Sequence, residues 1–242
     1  MKRVLLTLTV ALMLGGPALA LDGNEILKKV DANLQPESFE SYRKLINIEP
    51  SGAKREFVLY TLKKGHDKVA SLFLSPASEK GRATLRLGDN MWLYIPNVGK
   101  PIRITNLQSV VGGVFNNADI MRLDYHVEYD VRNVEERREE YFLDLKAKTG
   151  AVAYDTLKMW VDKKTVVANK IECYAATGLL IKTLYFKERK PFEGILRPAV
   201  IDTDSPLYKG YQSIMVYAGI KKRIVPDEVF TLEFLPRIET IR

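Results

Sequence analysis

The spacing of apolar residues predicts a helix near the start of the chain. Four of them recur at helical spacing between residues 22 and 34: Ile26, Leu27, Val30 and Leu34. Polar residues occupy the other positions, which is the pattern of an amphipathic helix with one face covered. Asp22 or Asn24 can cap its first turn. Such a helix would cover an opening of a sheet or shield a cavity, and both roles need one apolar face.

From about residue 40 the pattern becomes that of strands separated by short turns. Runs rich in β-forming residues end at glycine, asparagine, aspartate or proline. They occupy residues 56–62, 68–74, 82–87, 91–95, 126–131, 138–145, 156–162, 166–174, 179–188, 213–217 and 229–234. Even spacing of this kind predicts one large antiparallel sheet or open barrel. Asp202, Asp204 and Ser205, which stand before Pro206, indicate a turn.

Residues 97–122 interrupt the strand pattern. Val110 to Phe115 is an apolar run that contains two glycines, and the residues from Asn116 to Leu123 resemble a short capped helix. A long segment of this kind is typical of a lid or a binding loop. An internal plug fits the pattern equally well.

The N-terminus has the features of an export signal. Lys2 and Arg3 precede an apolar run over residues 4–14, and Ala18 and Ala20 form a small-residue cleavage site. We therefore expect a signal peptide over residues 1–20 and a single domain over residues 21–242. The apolar run is too short to span a bilayer, and no cysteine stands at the cleavage site. A soluble periplasmic protein is the expectation.

Composition and charge narrow the function further. Apolar residues make up 46% of the chain and charged residues 28%, so a packed core is possible. The net charge of +7 is not concentrated in a basic patch with interleaved aromatic residues, so the sequence argues against nucleic-acid binding. Cys173 is the single cysteine, so an intramolecular disulfide is excluded and a buried structural role is expected.

Candidate catalytic groups are scarce. The two histidines, His66 and His126, are far apart in sequence, and nothing in the pattern brings them together. We expect each to be an ordinary surface or structural residue, with no metal or cofactor site. A nucleophile elbow and a glycine-rich phosphate loop are both missing from the sequence. The mixed charges of residues 135–140 are typical of a solvated strand edge, and we expect no enzyme.

Several strands are apolar on both faces. Residues 58–60, 72–74 and 91–94 lack the polar alternation of a half-solvated sheet. Either elements cover both faces, or one face lines an apolar cavity. The pattern leaves these two possibilities open.

The chain resembles the periplasmic outer-membrane lipoprotein-sorting (LolA-like) family. Trp92, Tyr94 and Pro96 match a strand end of that family, and Arg103 with Ile104 matches an Arg-Ile pair. A glycine-containing loop and helix start over residues 112–120, and a closing strand over residues 227–231, match as well. The resemblance implies a mainly β (α+β) fold, an unclosed antiparallel β-barrel or strongly curved sheet whose short helices cover an apolar cavity.

The resemblance also implies a carrier that moves a lipid or a lipid-modified protein towards the outer membrane. The partners would be the acyl chain, an inner-membrane transporter as donor and an outer-membrane acceptor. One face of the strand meander would line the cavity, with these residues: Leu59, Leu72, Leu74, Leu85, Leu87, Trp92 and Met159. Val114, Phe115 and Ile120 would belong to the lid. The main alternative is an interaction module, or an accessory subunit of a membrane transporter, without its own lipid pocket; a periplasmic hydrolase is disfavoured by the lack of a nucleophile motif.

Overall fold

The computed structural model describes residues 22–242, so the predicted signal peptide lies outside the described residues. Thirteen strands form its framework: β1 (Phe39–Ile48), β2 (Lys54–Lys64), β3 (Lys68–Ser75), β4 (Ala83–Leu87), β5 (Asn90–Tyr94), β6 (Ile102–Ile104), β7 (Tyr129–Glu136), β8 (Glu140–Ala147), β9 (Thr156–Asp162), β10 (Val167–Tyr174), β11 (Leu180–Phe192), β12 (Ile195–Asp204) and β13 (Gln212–Lys222). The helices are α1 (Gly23–Leu34), α2 (Asn117–Ile120) and α3 (Tyr125–Glu128). Two 3₁₀ helices follow, Asp227–Phe230 and Leu235–Ile241.

All thirteen strands belong to one antiparallel sheet, in the order β6-β5-β4-β3-β2-β1-β13-β12-β11-β10-β9-β8-β7. The pairing of β1 with β13 joins two meanders at the centre of the sheet. The edge strands β6 and β7 do not pair with each other, so the sheet is not closed. This arrangement confirms the predicted fold, an unclosed and curved antiparallel sheet with few short helices.

Helix α1 packs on one face of the sheet, which we call the inner face. Asp22 Oδ1 caps it by accepting hydrogen bonds from the backbone N–H groups of Asn24 (3.0 Å) and Glu25 (3.3 Å). Its apolar stripe is buried in the main core, as the spacing predicted: Ile26, Leu27, Val30 and Leu34. The amphipathic helix is therefore confirmed, and its position fixes one wall of the inner face.

The connection between β6 and β7, residues 105–128, must run from one edge of the sheet to the other. It includes α2 and α3 and crosses the inner face. Asn116 and Asp119 form a reciprocal capping box at the start of α2. At Gly113 the backbone approaches β1 so closely that a Cβ would lie 2.2 Å from Asn47 Oδ1, so a side chain at this position would clash. We call this segment the β6–β7 connection.

The C-terminal residues cover the opposite face, which we call the outer face. The predicted strand over residues 229–234 is wrong, because the chain forms two 3₁₀ helices there. Pro226 and Pro236 restrict the backbone and lack the N–H groups that a central strand needs. Phe230 and Leu235 pack against Leu85 and its neighbours in a second apolar cluster. Strands β2 to β4 are buried on both faces because elements cover both, and the buried side chains include these polar ones: Thr61, Lys63, Ser71, Thr84 and Arg86.

Other parts of the prediction also differ from the structure, since β1 and β6 have no counterpart among the predicted strands. The expected strand over residues 126–131 begins as helix α3 and becomes β7 only at Tyr129. Strand β12 has no counterpart among the predicted strands because Pro198 interrupts its pattern, and the predicted turn at Asp202 and Asp204 is its final part. Glu135 and Glu136 lie exposed on the edge strand β7, as the charge pattern predicted.

Within residues 22–242, no helix has the length and apolarity needed to cross a bilayer.

Candidate functional site

A cavity lies on the inner face between the second meander and the β6–β7 connection. The sheet supplies mostly apolar side chains from β9 to β13: Leu157, Cys173, Leu184, Phe186, Ile201, Met215 and Tyr217. The connection supplies Phe115, Ala118 and Tyr125, and the β8–β9 turn supplies Tyr154. Asp119, Arg122 and Glu128 of the connection also line it, so the cavity is a mostly apolar space whose roof carries charged groups.

This cavity is small. Its volume is about 40 Å³, which accommodates roughly three water-sized spheres. Ligand pockets for drug-sized molecules are roughly 300–1,000 Å³. A larger apolar ligand would therefore enter only if the β6–β7 connection moved away from the sheet.

A buried ion pair holds the connection to β11. Lys182 Nζ donates to Asp119 Oδ2 at 2.8 Å and to the carbonyl oxygen of Val114 at 2.5 Å. The side chains of Lys182 and Asp119 are 3% and 5% exposed. Tyr154 Oη donates to Asp119 Oδ1 at 2.8 Å and accepts from Asn116 Nδ2, also at 2.8 Å. Burial raises the pKa of Tyr154 well above its usual value, so its phenol stays protonated as a donor.

Two arginines of the first meander hold the same connection by its carbonyl groups. Arg43 Nη1 donates to the carbonyl oxygen of Ile120 at 3.0 Å, and Arg86 Nη1 donates to that of Met121 at 3.2 Å. Arg86 also forms an ion pair with Glu128 at the end of α3. The roof of the cavity is therefore held by polar contacts that have to be broken together if it is to open.

A second set of polar groups lies where the connection meets α1. Asp124 accepts from Lys63 Nζ at 2.5 Å and from His66 Nδ1 at 2.6 Å. Burial alone would raise the pKa of Asp124, but Lys63, His66 and Arg122 together outweigh it and the pKa is lowered. Asp31 accepts from the backbone N–H of Tyr125 at 2.8 Å and from His126 Nδ1 at 2.9 Å.

The two histidines therefore do converge, contrary to the sequence-based expectation. Their ring centroids are 5.2 Å apart, and each ring bonds a different buried carboxylate. The β2–β3 turn places His66 against His126 of α3. This contact is long-range, so no local sequence pattern predicts it. Among residues 22–242 no group of three or more acidic, histidine or cysteine side chains is arranged to hold a metal ion.

Cys173 lies in the cavity wall and is 1% exposed, which confirms the predicted burial. Burial raises the pKa of its thiol well above the usual value, so the reactive thiolate is disfavoured.

The residues predicted to line a cavity lie on both faces of the sheet. Leu59 and Met159 belong to the main core on the inner face. The other five pack in the outer-face cluster with the C-terminal segment: Leu72, Leu74, Leu85, Leu87 and Trp92. The sequence had placed them on one face, whereas Leu59 pairs with Phe73 and Leu72 pairs with Tyr60. None of them lines the cavity described above.

The three predicted lid residues all lie in the β6–β7 connection and are buried. Phe115 lines the cavity, Ile120 belongs to the main core, and Val114 uses its carbonyl oxygen to accept from Lys182. The wall residues of β9 to β13 were not predicted, although their inward alternation, for example Leu184 and Phe186, is visible in the sequence. No local sequence pattern indicated that Lys182 and Asp119 would form an ion pair.

A family model described only as that of an uncharacterized protein matches residues 65–237. Among solved structures, a LolA superfamily protein from Nitrosomonas europaea is 29% identical, with a TM-score of 0.81 over 89% of this chain and 100% of that chain. A DUF1329 family protein from Desulfovibrio piger is 22% identical, with a TM-score of 0.76 over 88% of this chain and 97% of that chain.

A domain from Vibrio parahaemolyticus, assigned to outer membrane lipoprotein sorting, is 20% identical, with a TM-score of 0.74 over 89% of this chain and 98% of that chain. The comparison with curated proteins gives no match. These structures share the unclosed sheet and its short helices across nearly their whole length.

Proposed function

Because the chain belongs to the LolA-like family of outer-membrane lipoprotein-sorting proteins, we propose that it is a carrier for an acyl chain in the periplasm. The observation that carries this proposal is the apolar cavity roofed by the β6–β7 connection. The cargo is a lipid or a lipid-modified protein, and the chain moves it towards the outer membrane. The protein binds and releases this cargo without chemical change.

The energetics favour a roof that opens only when cargo is present. Each buried methylene contributes about 0.8 kcal/mol, so roughly ten of them contribute on the order of 8 kcal/mol. This gain is opposed by the cost of breaking the hydrogen bonds that hold the roof, such as that of Arg43 to Ile120, at about 1 kcal/mol each. The buried pair of Lys182 and Asp119 costs more, but its charges regain water on opening. About ten buried methylene or methyl groups, in one chain or two, therefore offset the cost of opening.

The predicted leader supports a periplasmic location, and the proposal places the carrier between two membranes. An inner-membrane transporter would supply the cargo, and an outer-membrane acceptor with higher affinity would remove it. Release then needs no chemical energy in the periplasm, because the acceptor's affinity drives the transfer.

The first test is native mass spectrometry of the protein purified from its periplasm without detergent, combined with lipid extraction. A bound acyl species near one-to-one stoichiometry would support the carrier. A mass that remains that of the protein alone after incubation with lipids and acylated peptides would contradict it.

A matched pair of variants makes this test specific for the cavity. Ala118→Trp places an indole in the small cavity and should abolish acyl binding. Ala77→Trp makes the same change in an exposed turn and should leave binding intact. Equal binding by both variants would show that acyl chains do not use this cavity.

The small volume of the cavity favours one second candidate, an interaction module or accessory subunit of a membrane transporter. A protein with a packed interior would bind a partner through its surface and need no lipid pocket. In that case the Ala118→Trp variant would retain the partner, and no acyl species would be extracted.

A further inference from the structure

Arg197 is a buried cation that has no counter-charge among residues 22–242. It lies on β12, is 1% exposed, and its Nη1 donates to the carbonyl oxygen of Ala32 at 2.9 Å. Its Nε is buried and has no hydrogen-bond partner within residues 22–242. Burial lowers the pKa of Arg197 to about 10, and no charge in the described part of the chain offsets it.

Other buried cations of this protein are compensated. Lys63, Arg86 and Lys182 each contact a buried or nearly buried carboxylate. Arg43 contacts no carboxylate among the described residues and its Nε is likewise unpaired, but its guanidinium makes two hydrogen bonds, to the Ile120 carbonyl and to Thr61 Oγ1, where that of Arg197 makes one. An uncompensated charge in the interior is costly, and an unpaired buried donor calls for a physical reason.

The Arg197 guanidinium faces a groove between the end of α1 and the ends of β12 and β13. The groove has a volume of about 610 Å³. Lys222 and Arg223 line it with Arg197, and Glu37 is the single carboxylate of its wall. Arg223 is bound to Glu40 at 2.5 Å, which leaves Lys222 and Arg197 as the cations that face the groove without an ion pair among the described residues. We call it the basic groove.

The rim of the basic groove is apolar. Ile224 is 96% exposed, and Ile195 and Pro36 also contribute to the wall. Basic and aliphatic side chains side by side fit a ligand that has an anionic group next to hydrocarbon. A free inorganic anion would use only the basic part of this surface.

We propose that the basic groove binds a phosphate group through the Arg197 guanidinium, and that the phosphate is that of an anionic lipid headgroup. A planar guanidinium binds phosphate through two parallel hydrogen bonds, and apart from the bond of Nη1 to Ala32 the Arg197 guanidinium makes no hydrogen bond within residues 22–242. Lys222 adds a second positive charge from the rim. The apolar contact of Ile224 would fall on the part of the lipid that adjoins the headgroup.

The position of Arg197 along β12 is consistent with a lipid ligand. Arg197 and Ile201 lie four positions apart on one strand, so both side chains point to the inner face. Ile201 lines the acyl cavity, and the separation along the strand is about 13 Å. The lipid source of the phosphate rests on the proposed carrier function, whereas phosphate binding itself does not.

The test measures binding of three probes by calorimetry at low ionic strength: inorganic phosphate, dihexanoyl phosphatidylglycerol, and dihexanoylglycerol, which has the same acyl chains and no phosphate. We expect phosphatidylglycerol to bind most tightly and dihexanoylglycerol least. Arg197→Gln should weaken binding of both phosphate probes by roughly ten-fold or more, because hydrogen bonds to charged groups are strong. Arg189→Gln removes the same charge from the neighbouring strand and should have little effect.

A second pair of variants, at exposed positions, controls for loss of binding through misfolding. Lys222→Glu reverses an exposed charge in the groove, and Lys221→Glu reverses its exposed neighbour outside the groove. The first should weaken phosphate binding and the second should not. Arg197→Gln should also leave the free energy of unfolding unchanged or raise it, since it removes an uncompensated buried charge.

The outcomes separate the two proposals. Inorganic phosphate binding that Ala118→Trp leaves intact would support the groove even if the acyl cavity fails. Phosphate and phosphatidylglycerol binding with equal affinity would support the anion site and overturn the lipid source. Equal binding of phosphatidylglycerol and dihexanoylglycerol, unaffected by Arg197→Gln and Lys222→Glu, would overturn the proposal, as would no binding of either phosphate probe.

Discussion

His66 and His126 meet edge to face, with ring centroids 5.2 Å apart, although one lies in the β2–β3 turn and the other in α3. His66 Nδ1 donates to Asp124 Oδ2 at 2.6 Å, and His126 Nδ1 donates to Asp31 Oδ2 at 2.9 Å. The pair links α1, the β6–β7 connection and the first meander. The charge state of His126 therefore acts where the roof of the cavity joins the body of the protein.

The stability contributed by His126 should depend on pH. Its hydrogen bond with Asp31 raises the pKa of His126 above the ordinary histidine value of 6.5. A raised folded-state pKa gives stability that is present below pH 6.5 and is lost as the pH rises through the raised value. We expect His126→Gln to lower the free energy of unfolding more at about pH 5.5 than at about pH 8.5. Urea unfolding at the two pH values measures this difference.

The neighbouring charges help to interpret the result. Lys63 contacts Asp124, Arg122 contacts Asp31 at 3.4 Å, and Lys148 Nζ donates to the carbonyl oxygen of His126 at 2.7 Å. His126→Gln keeps all of these residues. An equal loss of stability at both pH values would mean that the imidazole acts by packing and hydrogen bonding, with no contribution from its charge.

The Lys182–Asp119 pair should show strong coupling. Lys182→Met leaves a buried carboxylate without its cation, and Asp119→Asn leaves a buried ammonium without its anion. We expect each single variant to lose about 3–5 kcal/mol of unfolding free energy, and the double variant to lose much less than the sum. Chemical denaturation of the four proteins completes the cycle. Additive losses would mean that the two charges do not stabilise each other.

Much of the sheet was predictable because its cues are local. The run 68–74, the turn at Gly88 and the strand before Pro96 carry their own alternation and turn residues. The C-terminal residues 229–234 carry similar alternation but form no strand, because their apolar side chains pack on the outer face of the sheet as 3₁₀ helices. Tertiary contacts, and not the local pattern, therefore determine the secondary structure of this segment.

The candidate site was harder to predict because its contacts are long-range. The lid residues follow from one glycine-containing segment, and Phe115 does line the cavity. Its other wall comes from β9 to β13, whereas most of the predicted lining lies on the outer face, because Leu72 pairs with Tyr60 and not with Leu59. The pairing of Lys182 with Asp119 and the meeting of the histidines depend on the crossing of the whole connection over the sheet.

Leu85 tests the sequence-based cavity prediction directly. It is fully buried in the outer-face cluster with Phe230 and Leu235. Leu85→Ala should lower the free energy of unfolding by about 2–5 kcal/mol and leave acyl binding by the folded protein unchanged. Leu157→Ala makes the same deletion in the cavity wall and should change acyl affinity as well. Weaker acyl binding by folded Leu85→Ala would instead support cargo contact at this position.

The single cysteine provides a direct measure of roof opening. Cys173 is buried in the cavity wall and burial raises the pKa of its thiol, so a maleimide should label the folded protein slowly. Lys182→Met should speed labelling of Cys173 because it releases the β6–β7 connection. A bound acyl chain should slow this labelling again, because it fills the space beside the sulfur.

A Ser78→Cys, Cys173→Ser protein, whose thiol lies in an exposed turn, controls for reagent effects. If the acyl chain slows labelling at both positions, it acts on the reagent; if it slows labelling at neither, the chain does not occupy the cavity. Slowing at Cys173 alone therefore requires that the roof opens onto the cargo and closes over it.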